Sequence, residues 1–316
     1  MILDIPMVFF RTESGDIGAF LDRCPHRNVP LSDGEVVDDA LQCPYHGWRF
    51  NVEGQCIEVP GLYGEPTTRG RAAVRYPVRE SDGLIWVYPD TETAPSTEPF
   101  QLPHAQDPKY TTATAVLEVQ ASLHATLENI LDVPHTAFIH AGLFRTAKKR
   151  NRIEAHITQR GDLLQTEYIG EPTPNGLMGR VLAPGGGTVT HFDRFIMPSI
   201  AEVEYKLSDR SHIVASHFLT PISDSRIQIL ASISIRLPLP GWLIRPVVSP
   251  MLRKVFKQDA DMLKKQSETV ERFGGERYVS TELDVMGPQI LKMLRQVEQG
   301  QKLSSDTKER RVIMNV

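Results

Sequence analysis

This sequence has no long apolar run, no large excess of one charge and only three cysteines. No apolar run reaches the roughly 20 residues of a bilayer span, and the best candidate, 238–256, is interrupted by charged residues and prolines. The chain does not open on a basic region followed by an apolar stretch, so we expect no signal peptide. Its 35 Lys and Arg against 39 Asp and Glu give a formal net charge of −4. That balance offers no broad basic field, so we expect no nucleic-acid partner.

The texture of the chain changes near residue 105, which predicts two domains in its 316 residues. Residues 1–105 are short strand-like runs separated by turn signals, as in a small all-β sandwich or barrel. The stretch 91–108 is rich in Pro and Thr, like a linker. Residues 106–316 mix strand-like and helical segments without regular alternation, which indicates an α+β domain on an antiparallel sheet. We predict strands at 153–158, 163–168, 201–207, 212–218 and 226–235, and helices at 121–141, 251–273 and 287–298.

Two of the three cysteines stand close to a histidine. Cys24 and His26, followed after sixteen residues by Cys43 and His46, give the patterns C-x-H and C-x2-H. Each pair follows a short strand-like run, so we expect two similar loops to approach one site from opposite sides. Two thiolates and two imidazoles can complete the shell of a tetrahedral zinc ion or of a [2Fe-2S] cluster.

The local sequences around these pairs, CPHR and CPYHGW, resemble the fingerprint of the Rieske iron–sulfur proteins at all four ligand positions. The resemblance implies that a [2Fe-2S] cluster is held by Cys24, His26, Cys43 and His46. A zinc ribbon is the alternative.

With two of the three cysteines used as ligands, no disulfide framework is possible. The lack of disulfides is typical of a reducing compartment, so we expect a cytoplasmic protein. The third, Cys56, lies in a predicted strand, and we expect it to be a buried small hydrophobe.

A second candidate site lies in the segment 129–140, which contains two histidines five residues apart. Positions five apart are separated by about 140° around a regular α-helix, so His135 and His140 would not share one face. Pro134 disfavours helical geometry at the residue before it, and a bend there can turn both imidazoles toward one ion. Asp132 precedes His135 by one turn and can orient that ring through its second nitrogen. Two unrelated polar histidines are the alternative.

A third ligand is predicted on the amphipathic helix 251–273. The apolar stripe of this helix, at i, i+3 and i+4 spacing, consists of Leu252, Val255, Phe256 and Leu263. Asp259 falls on the stripe, and a carboxylate that faces the core is costly unless it binds a cation or another partner. Asp261 is rotated by about 200° and is predicted to be solvated. A buried salt bridge is the alternative for Asp259. Two His and one carboxylate with open positions are the ligand set of mononuclear non-haem Fe(II) oxygenases.

Together these two sites resemble the large (α) subunit of the Rieske non-haem iron oxygenases over nearly the whole chain. The second motif of that family, N-x2-D-x2-H-x4-H, is matched by Asn129, Asp132, His135 and His140. The resemblance implies that the two His and Asp259 bind a mononuclear iron. It also implies that Asp132 connects this iron to the Rieske cluster of a neighbouring subunit.

Within the family, the similarity is greatest to the single-subunit group of O- and N-demethylases and pheophorbide a oxygenase-like proteins. It implies an α+β chain in which residues 1–105 form an all-β Rieske [2Fe-2S] domain. Residues 106–316 would form a helix-grip-like antiparallel sheet domain whose helices carry the mononuclear iron. The sequence departs from the family at two places: Gln258 stands where Glu is common, and few residues precede the strand near 1–10. We therefore expect the Rieske domain to lack its usual first strands.

The resemblance also implies partners and a reaction. We expect a homo-oligomeric ring, a trimer, that receives electrons from a separate ferredoxin or flavin reductase, because the chain has no flavin or nicotinamide signature. O2 and a small organic substrate, aromatic or cyclic, would be converted by hydroxylation or oxidative demethylation. Strands near 191–195 and 217–219 are candidate pocket elements, although histidines such as theirs are more often structural than catalytic. The alternatives are a Rieske electron carrier and a metal-organised binding module without oxygenase activity.

Overall fold

The computed structural model describes residues 1–141, 151–173, 186–238 and 241–315 of the chain. The chain divides into two compact units, Met1–Gln101 and Leu102–Val316. The division falls inside the Pro- and Thr-rich stretch 91–108, where the backbone forms neither a helix nor a strand. Among the described helices, none combines the length and the apolar character that crossing a membrane requires.

The N-terminal unit consists of short antiparallel strands, as its turn signals predict. They are β1 (Met7–Arg11), β2 (Ile17–Leu21), β3 (Glu35–Val37), β4 (Ala40–Gln42), β5 (Arg49–Phe50), β6 (Cys56–Glu58), β7 (Val78–Ser81) and β8 (Leu84–Val87). β1 pairs with β2, β7 pairs with β8, and β3 to β6 form a four-stranded sheet in chain order. The unit has its own core, in which Phe20, Leu31, Phe50 and Cys56 are fully buried. Burial of each large apolar side chain contributes about 1.5–3 kcal/mol. The burial of Cys56 agrees with its prediction as a small buried hydrophobe.

One antiparallel sheet dominates the C-terminal unit and confirms the α+β class. Its eight described strands are β9 (Thr111–Val119), β10 (Arg152–Arg160), β11 (Leu163–Ile169), β12 (Thr190–Ile196), β13 (Ile200–Ser208), β14 (Ser211–Ser223), β15 (Arg226–Arg236) and β16 (Lys308–Asn315). The strand order across the sheet is β16-β10-β11-β12-β13-β14-β15-β9. Period-two alternation selects the inward face: along β10, Ile153, Ala155 and Ile157 are buried between more exposed neighbours.

In the described part of this unit three helices accompany the sheet: α1 (Leu123–Ile130), α2 (Gly241–Arg272) and α3 (Gly287–Glu298). The Ser122 side chain caps α1 by accepting a hydrogen bond from the amide of Ala125 at 3.2 Å. α1 packs against α2, α3 and the strands β13 and β15, so the inward face of the sheet and the helices share one core. The bounds of α3 are those predicted from the sequence.

The other two helix predictions need correction. A single helix over 121–141 is wrong, because α1 ends at Ile130 and a separate 3-10 turn follows at Pro134–Ala137. The predicted start of α2 at residue 251 is also wrong, because the helix begins ten residues earlier and contains Pro246 and Pro250. Each proline removes one backbone donor, but both prolines are exposed, so water can reach the carbonyls that are left over.

Candidate metal centres

The two Cys-His loops of the N-terminal unit share one backbone conformation. In both loops the cysteine amide donates to the carbonyl five residues later, at 2.9 Å for Cys24 and 2.8 Å for Cys43. The amide four residues later donates back to the cysteine carbonyl, at 2.9 and 3.1 Å. That fourth residue has a left-handed backbone in both loops, with φ of 63° at Asn28 and 67° at Gly47. Asn and Gly tolerate this conformation best, so the sequence of each loop fits its shape.

These loops place the imidazoles of His26 and His46 next to each other and the thiols of Cys24 and Cys43 next to each other. The thiols of Cys24 and Cys43 are buried, and the ring centroids of His26 and His46 are 4.6 Å apart. The His26 ring also stacks on Trp48 at 4.6 Å with an interplanar angle of 5°, which fixes its orientation. Burial, together with the neighbouring thiol of Cys43, raises the pKa of Cys24 to about 11. A bound cation would favour the thiolate form of Cys24, and the set of two sulfurs and two imidazoles fits a [2Fe-2S] cluster with mixed ligands.

In the C-terminal unit the break after α1 produces the bend that the sequence predicts at Pro134. The carboxylate of Asp132, in the gap between α1 and the 3-10 turn, accepts two hydrogen bonds from His135. One comes from the backbone amide at 2.9 Å and the other from Nδ1 at 3.1 Å. Both end on Asp132 Oδ2, so this oxygen fixes the His135 ring and its tautomer.

The bend brings His135 and His140 together with Asp259 of α2. One ligand atom from each of the three lies within 4.8 Å of the others. Asp259 Oδ1 is 3.0 Å from His140 Nε2 and 3.8 Å from His135 Nε2. This oxygen is buried and has no well-aligned hydrogen bond among the described residues, a situation that a bound cation resolves. The donor set of two imidazole nitrogens and one carboxylate oxygen fits Fe(II).

Sequence reasoning noted Gln258 only as a departure from the family, and the structure gives it a role. Its Oε1 accepts a hydrogen bond from His140 Nδ1 at 3.1 Å. With Asp132 on the other imidazole, both rings have their Nδ1 bonded and turn Nε2 toward Asp259. Burial alone lowers the pKa of His140, but the Asp259 carboxylate outweighs it and raises the pKa.

The contrast between the two carboxylates of α2 is as predicted. Asp261 is exposed and forms an ordinary surface ion pair with Lys257 at 3.1 Å, one helical turn earlier. Such a pair contributes little to stability. Only Asp259 faces the two histidines.

The three candidate iron ligands line a cavity of about 240 Å³. Most of its wall is apolar and includes Leu117, Val119, Ile229, Ile233, Ile235, Leu252, Val255 and Phe256. His191 and His217, on the two strands expected to form the pocket, line it as well. The Nδ1 of His217 donates to the carbonyl of Ala201 at 3.2 Å, and burial lowers the pKa of this imidazole to about 4, so it is neutral. A cavity of this kind suits a small, largely apolar ligand.

Comparison with known proteins agrees with both sites. Residues 1–68 match the Rieske [2Fe-2S] domain family, and residues 119–299 match the vanillate O-demethylase oxygenase C-terminal domain family. The oxygenase component of dicamba O-demethylase from Stenotrophomonas maltophilia is 34% identical over an alignment of 186 positions, which covers 57% of this chain and 53% of that protein. The vanillate O-demethylase oxygenase subunit of Pseudomonas sp. (strain HR199 / DSM 7063) is 24% identical over an alignment of 324 positions, which covers 95% of this chain and 89% of that one.

The fold agrees with these relatives. The crystal structure of dicamba monooxygenase bound to 3,6-dichlorosalicylic acid matches with a TM-score of 0.79 at 25% identity, covering 94% of this chain and 91% of that one. The chain spans about half the length of the first curated relatives it matches, between 48 and 53%. The C-terminal family match alone nevertheless covers more than half of this chain. The protein therefore belongs to the Rieske non-haem iron oxygenases, among the large subunits whose C-terminal domain is of the vanillate O-demethylase type.

Proposed function

We propose that this protein is the oxygenase component of a Rieske system that hydroxylates or oxidatively demethylates a small cyclic organic compound. It would use O2 and take electrons from a separate ferredoxin or flavin reductase. The observation that carries the proposal is the triad of His135, His140 and Asp259 at the wall of a mostly apolar cavity. An electron carrier would need neither this ligand set nor a cavity beside it.

The cofactor ligands follow from the same geometry. Cys24, His26, Cys43 and His46 would hold the [2Fe-2S] cluster of the Rieske domain. His135 and His140, through Nε2, and Asp259, through Oδ1, would hold the mononuclear iron of the C-terminal domain. Three protein ligands leave coordination positions open, as the chemistry of this class requires.

The bound iron supplies a site where O2 is bound and reduced, and the cluster supplies the electrons singly. The residues of the chain contribute orientation and exclusion of water. Asp132 and Gln258 hold the two imidazoles through their Nδ1 atoms, which keeps the Nε2 lone pairs directed at the metal position. The apolar wall keeps the substrate beside that position without binding it to the metal.

Asp132 also carries the proposal for assembly. Its Oδ2 holds His135, and about a quarter of its side chain is exposed (26%), so the same carboxylate can accept from a group outside its own domain. In our proposal Asp132 lies at the interface of a head-to-tail homotrimer and is bonded to His26 or His46 of the neighbouring subunit. Head-to-tail contacts between identical subunits form a closed ring when the rotation between them closes. A carboxylate there can hold both imidazoles and respond to the protonation change that accompanies reduction of the cluster.

The first experiment is metal analysis with a visible spectrum of the purified protein. We expect about three irons per chain and a reducible chromophore. O2 uptake coupled to product formation should follow when a surrogate reductase is added with a panel of methoxylated and aromatic compounds. Two irons without O2 uptake would mean an electron carrier, and colourless protein with zinc would mean a binding module.

Asp132→Asn tests the assembly. The variant should keep both metal centres and the trimer, measured by analytical ultracentrifugation, yet reoxidise its reduced cluster far more slowly in one turnover with O2 and substrate. Asp261→Asn, the same chemical change at an exposed carboxylate of α2, should behave like the wild type. Wild-type reoxidation in Asp132→Asn, or a fully active monomer, would contradict the bridging role.

We also propose a cytoplasmic location. Cys56 is buried and the other two cysteines would be cluster ligands, which fits a compartment where thiols stay reduced.

A further inference from the structure

Three ionisable side chains that take no part in the iron site are buried together at the wall of the cavity. Glu171, His191 and Asp193 are only 3%, 1% and 2% exposed, and all three line the cavity. Burial of charge is costly unless the charges are paired. Here His191 Nδ1 donates to Glu171 Oε2 at 2.7 Å, and His191 Nε2 donates to Asp193 Oδ1 at 2.9 Å.

The strand register locks this cluster in place. His191 on β12 lies opposite Tyr168 on β11 and opposite Tyr205 on β13. Both tyrosine rings stack on the imidazole, with centroid distances of 4.7 and 4.0 Å. The backbone of Glu171 is fixed as well, because its carbonyl accepts from the amide of Val189 at 2.9 Å. A ring held on both faces and at both nitrogens cannot rotate to serve another partner.

The hydrogen bonds decide what the cluster can offer to a ligand. Since both ring nitrogens of His191 donate to a carboxylate, the imidazole is the cation and has no N–H left for another acceptor. Glu171 and Asp193 contribute two negative charges against this single positive charge. The cluster therefore places carboxylate groups and a net negative charge at the wall of the cavity.

The sheet does not require such a cluster at this position. Further along the same two strands, the paired inward side chains Leu164 of β11 and Phe195 of β12 are apolar and fully buried. Replacing a buried ionic cluster by well-packed apolar residues is often neutral or stabilising. Because all three members of the cluster line a mostly apolar cavity, its position points to ligand recognition.

We propose that Glu171, His191 and Asp193 form the polar end of the substrate cavity and bind a hydrogen-bond donor of the substrate. The proposal rests on the proposed function and narrows its substrate class. The substrate would be a cyclic, mostly apolar compound that carries a hydroxyl, amide N–H or ammonium group at this end. A carboxylate in that position would be repelled.

Four monosubstituted benzenes test this proposal on the oxidised, iron-loaded protein without electron donor. They are benzyl alcohol, benzylamine, benzyl methyl ether and benzoate, and their dissociation constants are measured by saturation-transfer NMR. A charge-assisted hydrogen bond corresponds to roughly tenfold in affinity. We therefore expect the alcohol and the amine to bind roughly tenfold more tightly than the ether, and benzoate to bind most weakly. The measurement involves no turnover, so its failure leaves the oxygenase proposal standing, and an inactive enzyme leaves this one standing.

Asp193→Asn removes one charge from the cluster at constant volume and should shrink the preference for the amine over benzoate severalfold. Glu171→Gln is the second variant if the first does not fold, as judged by circular dichroism and iron content. Glu202→Gln is the matched control, because Glu202 is also buried but bonds Arg194 at 2.8 Å and does not line the cavity. It should keep the wild-type preference. The proposal would be overturned if the wild type bound the four compounds equally, preferred benzoate, or bound neither the alcohol nor the amine. An unchanged preference for the amine over benzoate in a folded Asp193→Asn or Glu171→Gln variant would overturn it as well.

Discussion

His191 should make the stability of the protein fall at alkaline pH, by an amount that follows from its surroundings. Burial alone lowers the pKa of this imidazole, but the charges of Asp193 and Glu171 outweigh it and raise the pKa from 6.5 to about 9. One pKa unit corresponds to about 1.4 kcal/mol, so the folded state gains on the order of 3 kcal/mol from the bound proton. Because the pKa is raised on folding, this stabilisation is complete below pH 6.5 and is lost as the pH rises through about 9.

The measurement is the free energy of unfolding in urea, followed by circular dichroism, between pH 6 and pH 10. His191→Gln serves as the comparison, since subtracting the two curves removes the titration of the shared groups outside the cluster of Glu171, His191 and Asp193. The variant itself should be less stable by about 3–5 kcal/mol at neutral pH, because two buried carboxylates lose their counter-charge. Between pH 6.5 and 9 the wild-type free energy should fall by about 1.4 kcal/mol per pH unit relative to the variant. Parallel curves would refute the reasoning, whatever the absolute stabilities.

The other predictions concern the metal ligands and are read by spectroscopy and metal content. His46→Cys should shift the optical and EPR signature of the cluster toward an all-thiolate type and lower its potential; an unchanged spectrum would mean that His46 is not a ligand. Asp259→Ala should lose the mononuclear iron and oxygenation while the cluster stays reducible, whereas Asp261→Ala should be nearly silent, and equal effects would show that the wrong carboxylate was assigned. Gln258→Leu should weaken iron binding by roughly 10- to 100-fold, because His140 loses the acceptor on its Nδ1; wild-type iron affinity would leave that hydrogen bond without a role.

Local patterns in the sequence predicted those elements whose conformation is determined by residues close to them in the chain. The turn residues and period-two alternation predicted the short strands of the N-terminal unit and five strands of the large sheet. The bounds of α3 also followed from the sequence. Pro134 predicted the bend between His135 and His140, since the restriction that a proline places on its neighbour does not depend on the rest of the fold.

Other elements depend on partners far away in the chain. The strand Thr111–Val119 was not predicted, because its residues are mostly small and it lies at the edge of the sheet, held by pairing with Arg226–Arg236. The beginning of α2 was missed for a related reason. Two prolines argue against a helix at 241–250 on local grounds, but both are exposed in the structure, so water can satisfy the carbonyls that they leave without a donor.

The sequence by itself determined the kinds of ligand, their spacing and the face of α2 that carries Asp259, since helix periodicity and ligand chemistry are properties of short segments. Only the tertiary structure decided which side chains meet. Gln258 reaches His140 across 118 residues of chain, and Glu171 reaches His191 only because the register of β11, β12 and β13 stacks the imidazole between two tyrosines. The physical reason is that a hydrogen bond requires its two atoms to lie within about 3 Å, and only the pairing of strands and the packing of helices fix distances between remote residues so closely.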